Sequence, residues 1–365
     1  MDAKRVLRRL LFSAVCLAAV AGGGMEAEIR EKESGDAPSV FSGEAEIVRI
    51  DSFEALCSFS ETVAGAEGGY TGEVWLMCDI EAEEGFEPIG SPEHMFLGTF
   101  DGRGNEISGL ATEEGAFQGL FGYVGRGGCV RNLTVRNACI SGSRYTGGIA
   151  GYSAGRIENC RVLGGRIEGK GIGVFSSATG GIAGLSNGEV ENCLVRATRV
   201  SGGRNTGGIV GNQCAGKTVR CISGGQVFSR EKGQAQAGGI IGGLQTGGEV
   251  IGCISCMDVR APGGSWAGGV VGAVLSGKVR ECVFLGRIEG REAGGVTGYA
   301  GRSSSVIACR YRFGLTPGVG EGKEAGVSRM APGSAEERLA EALMESFRAG
   351  CAEVIPSFRL TTTLV

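Results

Sequence analysis

Residues 147–162 read GGIAGYSAGRIENCRV, and residues 180–195 read GGIAGLSNGEVENCLV. The phrase is rich in Gly and small aliphatics and offers little that resembles a catalytic group, so its repetition is itself the information. Aligned on its Gly pair it returns at Gly147, Gly180, Gly207, Gly238, Gly268 and Gly294, at spacings of 26 to 33 residues. Ile or Val follows each pair, another Gly comes two residues on, and a Cys stands 13 to 15 residues after the first Gly. These cysteines are Cys160, Cys193, Cys221, Cys253, Cys282 and Cys309, and residues 119–135 form a divergent first copy with Leu133 in the Cys place.

Short β-branched runs with Gly corners and no 3.6-residue periodicity exclude helical solenoids. A run this short cannot bury itself, so units must stack, with about 4.8 Å between strands. The expected fold is all-β: a right-handed parallel β-helix with three short strands per coil of about 26–33 residues. Ile149, Ile182, Ile209, Ile240, Val270 and Val296 are expected to form one inward column, and Ile157, Val190, Val219, Val250, Val279 and Val306 a second. Three residues separate Ile157 from Cys160, which a period-2 strand cannot place on one face, so a corner is expected between them. Asn132, Asn159, Asn192 and Gly252 suit a left-handed corner residue, whereas Arg220, Glu281 and Ala308 at the same place predict that the corner varies.

Of 365 residues, 70 are Gly and only 7 Pro, without a three-residue period, which excludes collagen. Residues 1–21 carry Lys4, Arg5, Arg8 and Arg9, then an apolar run ending Ala19-Val20-Ala21, and are expected to be a signal peptide. No second apolar segment has spanning length, so the mature chain is expected to lack a transmembrane segment. Charge is unevenly spread: residues 22–119 hold 22 acids against 4 bases, residues 120–313 hold 23 bases against 10 acids.

Through GGIAG, GGIVG, ENC and GRIEG, residues 120–313 resemble the GLUG-motif repeat proteins. VWLMCDIEAEEGFEPIG (74–90) and FLGTFDGRGNEISGL (96–110) are similar to the segment preceding such repeats in bacterial surface proteins, including the non-catalytic region of IgA-specific metalloendopeptidases. The resemblance implies an extracellular bacterial β-helix and little about chemistry.

The flanks read as caps over solenoid ends. Asp51 and Glu54 suggest a capping box for a helix across residues 50–66, and Ser334 and Glu337 a second one for a C-terminal helix. The expected organisation is signal peptide 1–21, acidic segment 22–49, N-terminal cap and first coils 50–119, repeat β-helix 120–313, linker 314–333, and C-terminal helix and tail 334–365.

His94 is the sole histidine, so neither an HExxH site nor a Ser-His-Asp triad in the repeats is available. Asp258 is the one Asp within 120–313, which disfavours the clustered carboxylates of polysaccharide lyases and hydrolases. No catalytic residue, cofactor or metal is expected; Cys253 and Cys256 form a CxxC with no second CxxC to complete a zinc site. The stacked cysteines are expected to be mostly reduced core thiols, with Cys57–Cys78 and Cys214–Cys221 the more plausible bridges.

Four residues before successive cysteines stand Arg156, Glu189, Lys217, Glu249 and Lys278, an alternating column expected to fix coil register. Arg161, Arg166, Arg196, Arg199, Arg220, Arg280, Arg287, Arg310 and Arg312 are expected to face outward, either as a solvated surface that keeps edges from aggregating or as a polyanion-binding face. Nucleic acid is disfavoured, since few aromatics interleave with them. The expected function is that of an adhesin-like, non-enzymatic module, secreted or at the cell surface. Its partners would be an envelope polyanion, host glycan or surface protein, with self-association of acidic head and basic body open. A carbohydrate-active enzyme on the same fold and a structural spacer are the alternatives.

Overall fold

The computed structural model describes residues 47–112, 115–171, 177–231, 233, 235–312, 317–322, 326–331, 334, 337–338, 341–342 and 344–345. The expected signal peptide lies outside them, as does the acidic segment up to residue 46. All strand pairings among the described residues are parallel between neighbouring coils, so the chain is a parallel β-solenoid. One complete coil shows how it is built: Ala150–Ser153, Arg156–Glu158, Arg161–Leu163, Arg166–Gly169 and Ala178–Gly180 are five short strands. We call the stacks they join the first to fifth ladders, in that order.

Five ladders replace the expected three strands per coil. In RIENCRVL (156–163) a single left-handed residue, Asn159 at φ 54°, divides what reads as one run into two strands. The same corner recurs at Asn132, Asn192, Arg220, Gly252, Glu281 and Ala308, with φ between 50° and 61°. The expectation that it would vary is therefore corrected: the backbone is constant and the side chain adapts. Arg220, for instance, donates from Nε to Asn192 Oδ1 at 2.9 Å and pairs with Glu191.

The motif glycines answer to contact rather than to φ. Where the fifth ladder passes into the first, the chain folds back on itself, and backbone lies where side chains would stand. A Cβ on Gly272 would come within 2.6 Å of both Ala237 N and Gly242 O; Gly151 and Gly298 face the preceding coil in the same way. Real Cβ atoms do not approach so closely, so GG[IV]xG marks an inside angle of the coil.

Ile149, Ile182, Ile209, Ile240, Val270 and Val296 are fully buried, as are Ile157, Val190, Val250 and Val279. Val219 is a correction: it pairs with Glu191 and points outward, while Thr218 takes the inward place beside Val190. A buried hydroxyl is tolerable there because Thr218 Oγ1 donates to Gln213 Oε1 at 2.9 Å.

The second ladder runs from Val48–Ile50 to the end of Thr297–Ile307 without a break at residue 119. The solenoid also continues past 313. Val319–Gly322 pairs with Thr297–Ile307, and Val327–Arg329 with Cys309–Tyr311, so the segment expected as a linker adds strands to the stack. Within this segment Gly326 takes φ 69° at a corner.

Helix α1, Phe53–Ala64, places Leu56, Phe59 and Val63 in the same core; Phe59 meets Tyr70 edge-on at 5.1 Å and Phe96 at 6.3 Å. Its N-cap is Ser52 rather than Asp51, because Ser52 is extended and its Oγ accepts from Ala55 N–H at 3.2 Å. Near the C-terminus Glu337 N–H donates to Ser334 Oγ at 3.1 Å, and residues 337–338, 341–342 and 344–345 are helical. Met344 packs with Leu285 and Met330 against Ile254, Cys256 and Val283. Since Ile254 and Val283 alternate with the inward Ser255 and Phe284, this segment covers a flank of the third ladder.

Candidate functional site

The six repeat cysteines line one interior column, each 0–1% exposed and each a free thiol. Their register explains their chemistry. Each follows the left-handed corner, and its S–H faces two carbonyls: in Cys193 those of Glu191 at 3.3 Å and Ile157 of the preceding coil at 3.7 Å. Cys160, Cys221, Cys253, Cys282 and Cys309 repeat the pattern. Such S–H···O contacts are weak individually. A small apolar side chain with one donor suits the corner, and Leu133 fills the same place in the first copy, equally buried. Burial pushes the thiols of Cys193, Cys221 and Cys282 well up.

Arg156, Glu189, Lys217, Glu249 and Lys278 are direct register partners on the second ladder. Their ion pairs are partly diagonal. Arg156 reaches Glu158 of its own strand and Glu191 of the next coil, both at 2.9 Å, whereas Lys278 Nζ lies 3.0 Å from Glu249 directly across the ladder. The Lys278 hydrogen bond, helped by Arg280, holds the Glu249 carboxyl below its usual range. Along the neighbouring outward column Asp101 pairs with Arg131 at 2.9 Å. Burial opposes ionisation of Asp101, but hydrogen bonds from Asn132, Arg103 N–H and Arg131 outweigh it and hold its pKa low.

The nine arginines expected to form one face are spread over three ladders. Arg220 and Arg280 belong to the second and its corner; Arg161, Arg196, Arg310 and Arg312 to the third and its edge; Arg166, Arg199 and Arg287 to the fourth. Carboxylates partner Arg166, Arg220, Arg280 and Arg312 through Glu168, Glu191, Glu249 and Glu341. On the fourth ladder Arg166 and Arg199 are direct neighbours, and the column continues through Gln226 and Asp258 to Arg287. Two like charges one strand apart repel, an effect that Glu168 at 3.7 Å from Arg166 offsets in part.

The inside angle between the fifth and first ladders holds residues that the repeat pattern does not single out. Tyr123 and Tyr152 stack at 4.2 Å, with Phe117 and Tyr145 against them. Further along, Trp266 stacks on Tyr299 at 4.7 Å and its Nε1–H donates to Glu321 at 3.0 Å. Asn205, Asn212 and Gln236 lie between. The sequence signal was the dipeptide Gly-Tyr, which recurs at 122–123, 151–152 and 298–299 directly after the motif.

No family profile matches the chain. It is 30% identical over 168 residues to halomucin of Haloquadratum walsbyi, covering 42% of this chain and 2% of that protein. It is 35% identical over 83 residues to a protein of Evansella cellulosilytica described as a Gly-rich membrane protein, covering 21% of this chain and 10% of the relative. The chain thus spans a small fraction of the length of the curated relatives it matches. Among the described residues, no helix is long and apolar enough to cross a membrane. A crystal structure from Bacteroides ovatus, described as an immunoglobulin A1 protease, superposes with a TM-score of 0.55 at 20% identity, covering 82% of this chain and 88% of that one. At that identity the likeness is one of fold alone, a parallel β-solenoid.

Proposed function

We propose that this chain is an exported, surface-associated binding module: a right-handed β-helix of the GLUG repeat type, non-enzymatic, with α1 capping its N-terminal end. The observation that carries the reading is the adjacency of Arg166 and Arg199 on a rigid ladder, with Arg287 further along the same outward column. Repeated charges at coil spacing suit an extended polyanion of the envelope or a host glycan, bound by avidity. The carboxylates that an enzyme reading would recruit are engaged elsewhere: Glu191 with Arg156 and Arg220, Glu168 with Arg166 and Arg230, Glu249 with Lys278 and Arg280. The names borne by halomucin and the Gly-rich membrane protein are in keeping with a surface setting.

The test is retention of the chain lacking residues 1–21 on immobilised heparin across a salt gradient, beside the double variant Arg166→Glu/Arg199→Glu. Retention that falls with both salt and charge reversal supports the proposal. Equal elution of the two proteins refutes the Arg face and leaves a spacer.

A further inference from the structure

The angle between the fifth and first ladders carries aromatic and amide side chains outside the main core, and their arrangement is that of a ligand site. We infer that it binds a linear, uncharged oligosaccharide laid along the solenoid axis. This rests on the reading of the chain as a binding module, but it uses a different face from the arginines.

Two aromatic platforms bracket the site: Tyr123 on Tyr152, and Trp266 on Tyr299. On the first ladder the register runs from Tyr152 through Leu185, Asn212, Gly243 and Ala273 to Tyr299. Five steps at about 4.8 Å separate the platforms by about 24 Å, a span suited to a short oligosaccharide. Midway, three amides converge on Gly243: a Cβ there would lie 2.5 Å from Gln236 Oε1, 3.0 Å from Asn205 Oδ1 and 3.1 Å from Asn212 Oδ1. Gln236 is fully buried, yet neither of its amide atoms has a hydrogen-bond partner, and Asn205 Oδ1 has none either. A buried amide left unpaired is destabilising, and a ligand hydroxyl admitted at this angle would satisfy it.

A pyranose offers what these groups need: an apolar C–H face for a ring, and hydroxyls that donate to and accept from an amide. A peptide strand is less suited. Backbone groups here are already paired between coils, as in Ala178 N–H to Arg144 O at 2.8 Å and Gln236 N–H to Arg204 O at 2.6 Å, so no free strand edge is available for β-augmentation. A polyanion is unsuited as well, because Glu292 and Glu321 stand beside Trp266 and Tyr299 in register.

The experiment is an array of linear oligosaccharides, neutral and anionic, probed with the wild-type chain. It is followed by titration of the Trp75→Phe chain, whose sole remaining tryptophan is Trp266, with the neutral member bound best. The expected result is retention of neutral members, a saturable change in Trp266 fluorescence, and at least tenfold weaker binding in both Trp266→Leu and Tyr152→Leu. The Arg166→Glu/Arg199→Glu chain should bind neutral members as wild type does. Circular-dichroism melts of each variant separate lost binding from lost fold. If a Leu variant does not fold, the readout becomes protection of Trp266 from acrylamide quenching by the oligosaccharide. No neutral member retained, or retention unchanged in both Leu variants with no such protection, overturns the inference. Heparin retention intact beside a silent neutral array sinks this site and spares the Arg face; the opposite pattern does the reverse.

Discussion

The solenoid has two kinds of corner, and they are specified differently. At the left-handed corner before each of the six thiols and before Leu133, seven residues as unlike as Asn, Arg, Gly, Glu and Ala adopt one backbone conformation. At the inside angle the glycines do not change, because backbone occupies the space a side chain would need, while the residues beside them vary from Tyr to Leu, Asn and Ala. A corner set by local φ tolerates substitution at a modest cost, since the strain is confined to one residue. A corner set by contact between coils does not.

The sharpest way to break the comparison is at the inside angle. Gly272→Ala is expected to lose about 3 kcal/mol of stability, because the ladders must part to admit the methyl. Urea unfolding measures it, and a cost below about 1 kcal/mol would mean the coils are less closely apposed than described. The left-handed corner predicts the opposite sign. Ala308→Gly relieves an unfavourable φ of 54° and should gain about 0.5–1 kcal/mol net of the entropy glycine loses on folding. A destabilised variant would show that the Ala308 side chain does more than tolerate the turn.

The smallest effect belongs to the outward charges. Glu249→Gln is expected to cost about 0.2–1 kcal/mol at neutral pH. Because Lys278 depresses the Glu249 pKa in the folded chain, that stability is present above the ordinary carboxylate value, about 4.3, and is lost as pH falls through the lowered folded value. The variant should therefore show a shallower loss of stability on acidification. Identical acid limbs in variant and wild type would remove the ladder from the account of register.

Much of this was legible in the residues. The repeat, the inward Ile/Val column, the thiol column and the Asn corners follow from spacing alone. The strand count did not, because a single αL residue between two three-residue strands leaves the hydrophobic pattern looking continuous, as in RIENCRVL. Val219 was misassigned because a Thr with a buried partner stands where the other coils place an aliphatic, and period alone favours the apolar neighbour. The inside angle was hidden for a different reason. Tyr145 and Tyr152 meet across a fold-back of the chain, and Asn205, Asn212 and Gln236 converge from different strands and coils, so no local periodicity links them.

The most direct test of the stacked, thiol-lined solenoid is alkylation of the native chain, read by peptide mass spectrometry and repeated after denaturation. Cys78 and Cys139 are exposed and should label at once, whereas Cys160, Cys193, Cys221, Cys253, Cys282 and Cys309 should label only on unfolding, all together and all as free thiols. Native labelling within that set of six, or disulfides among them, would contradict the column and the coil register built upon it.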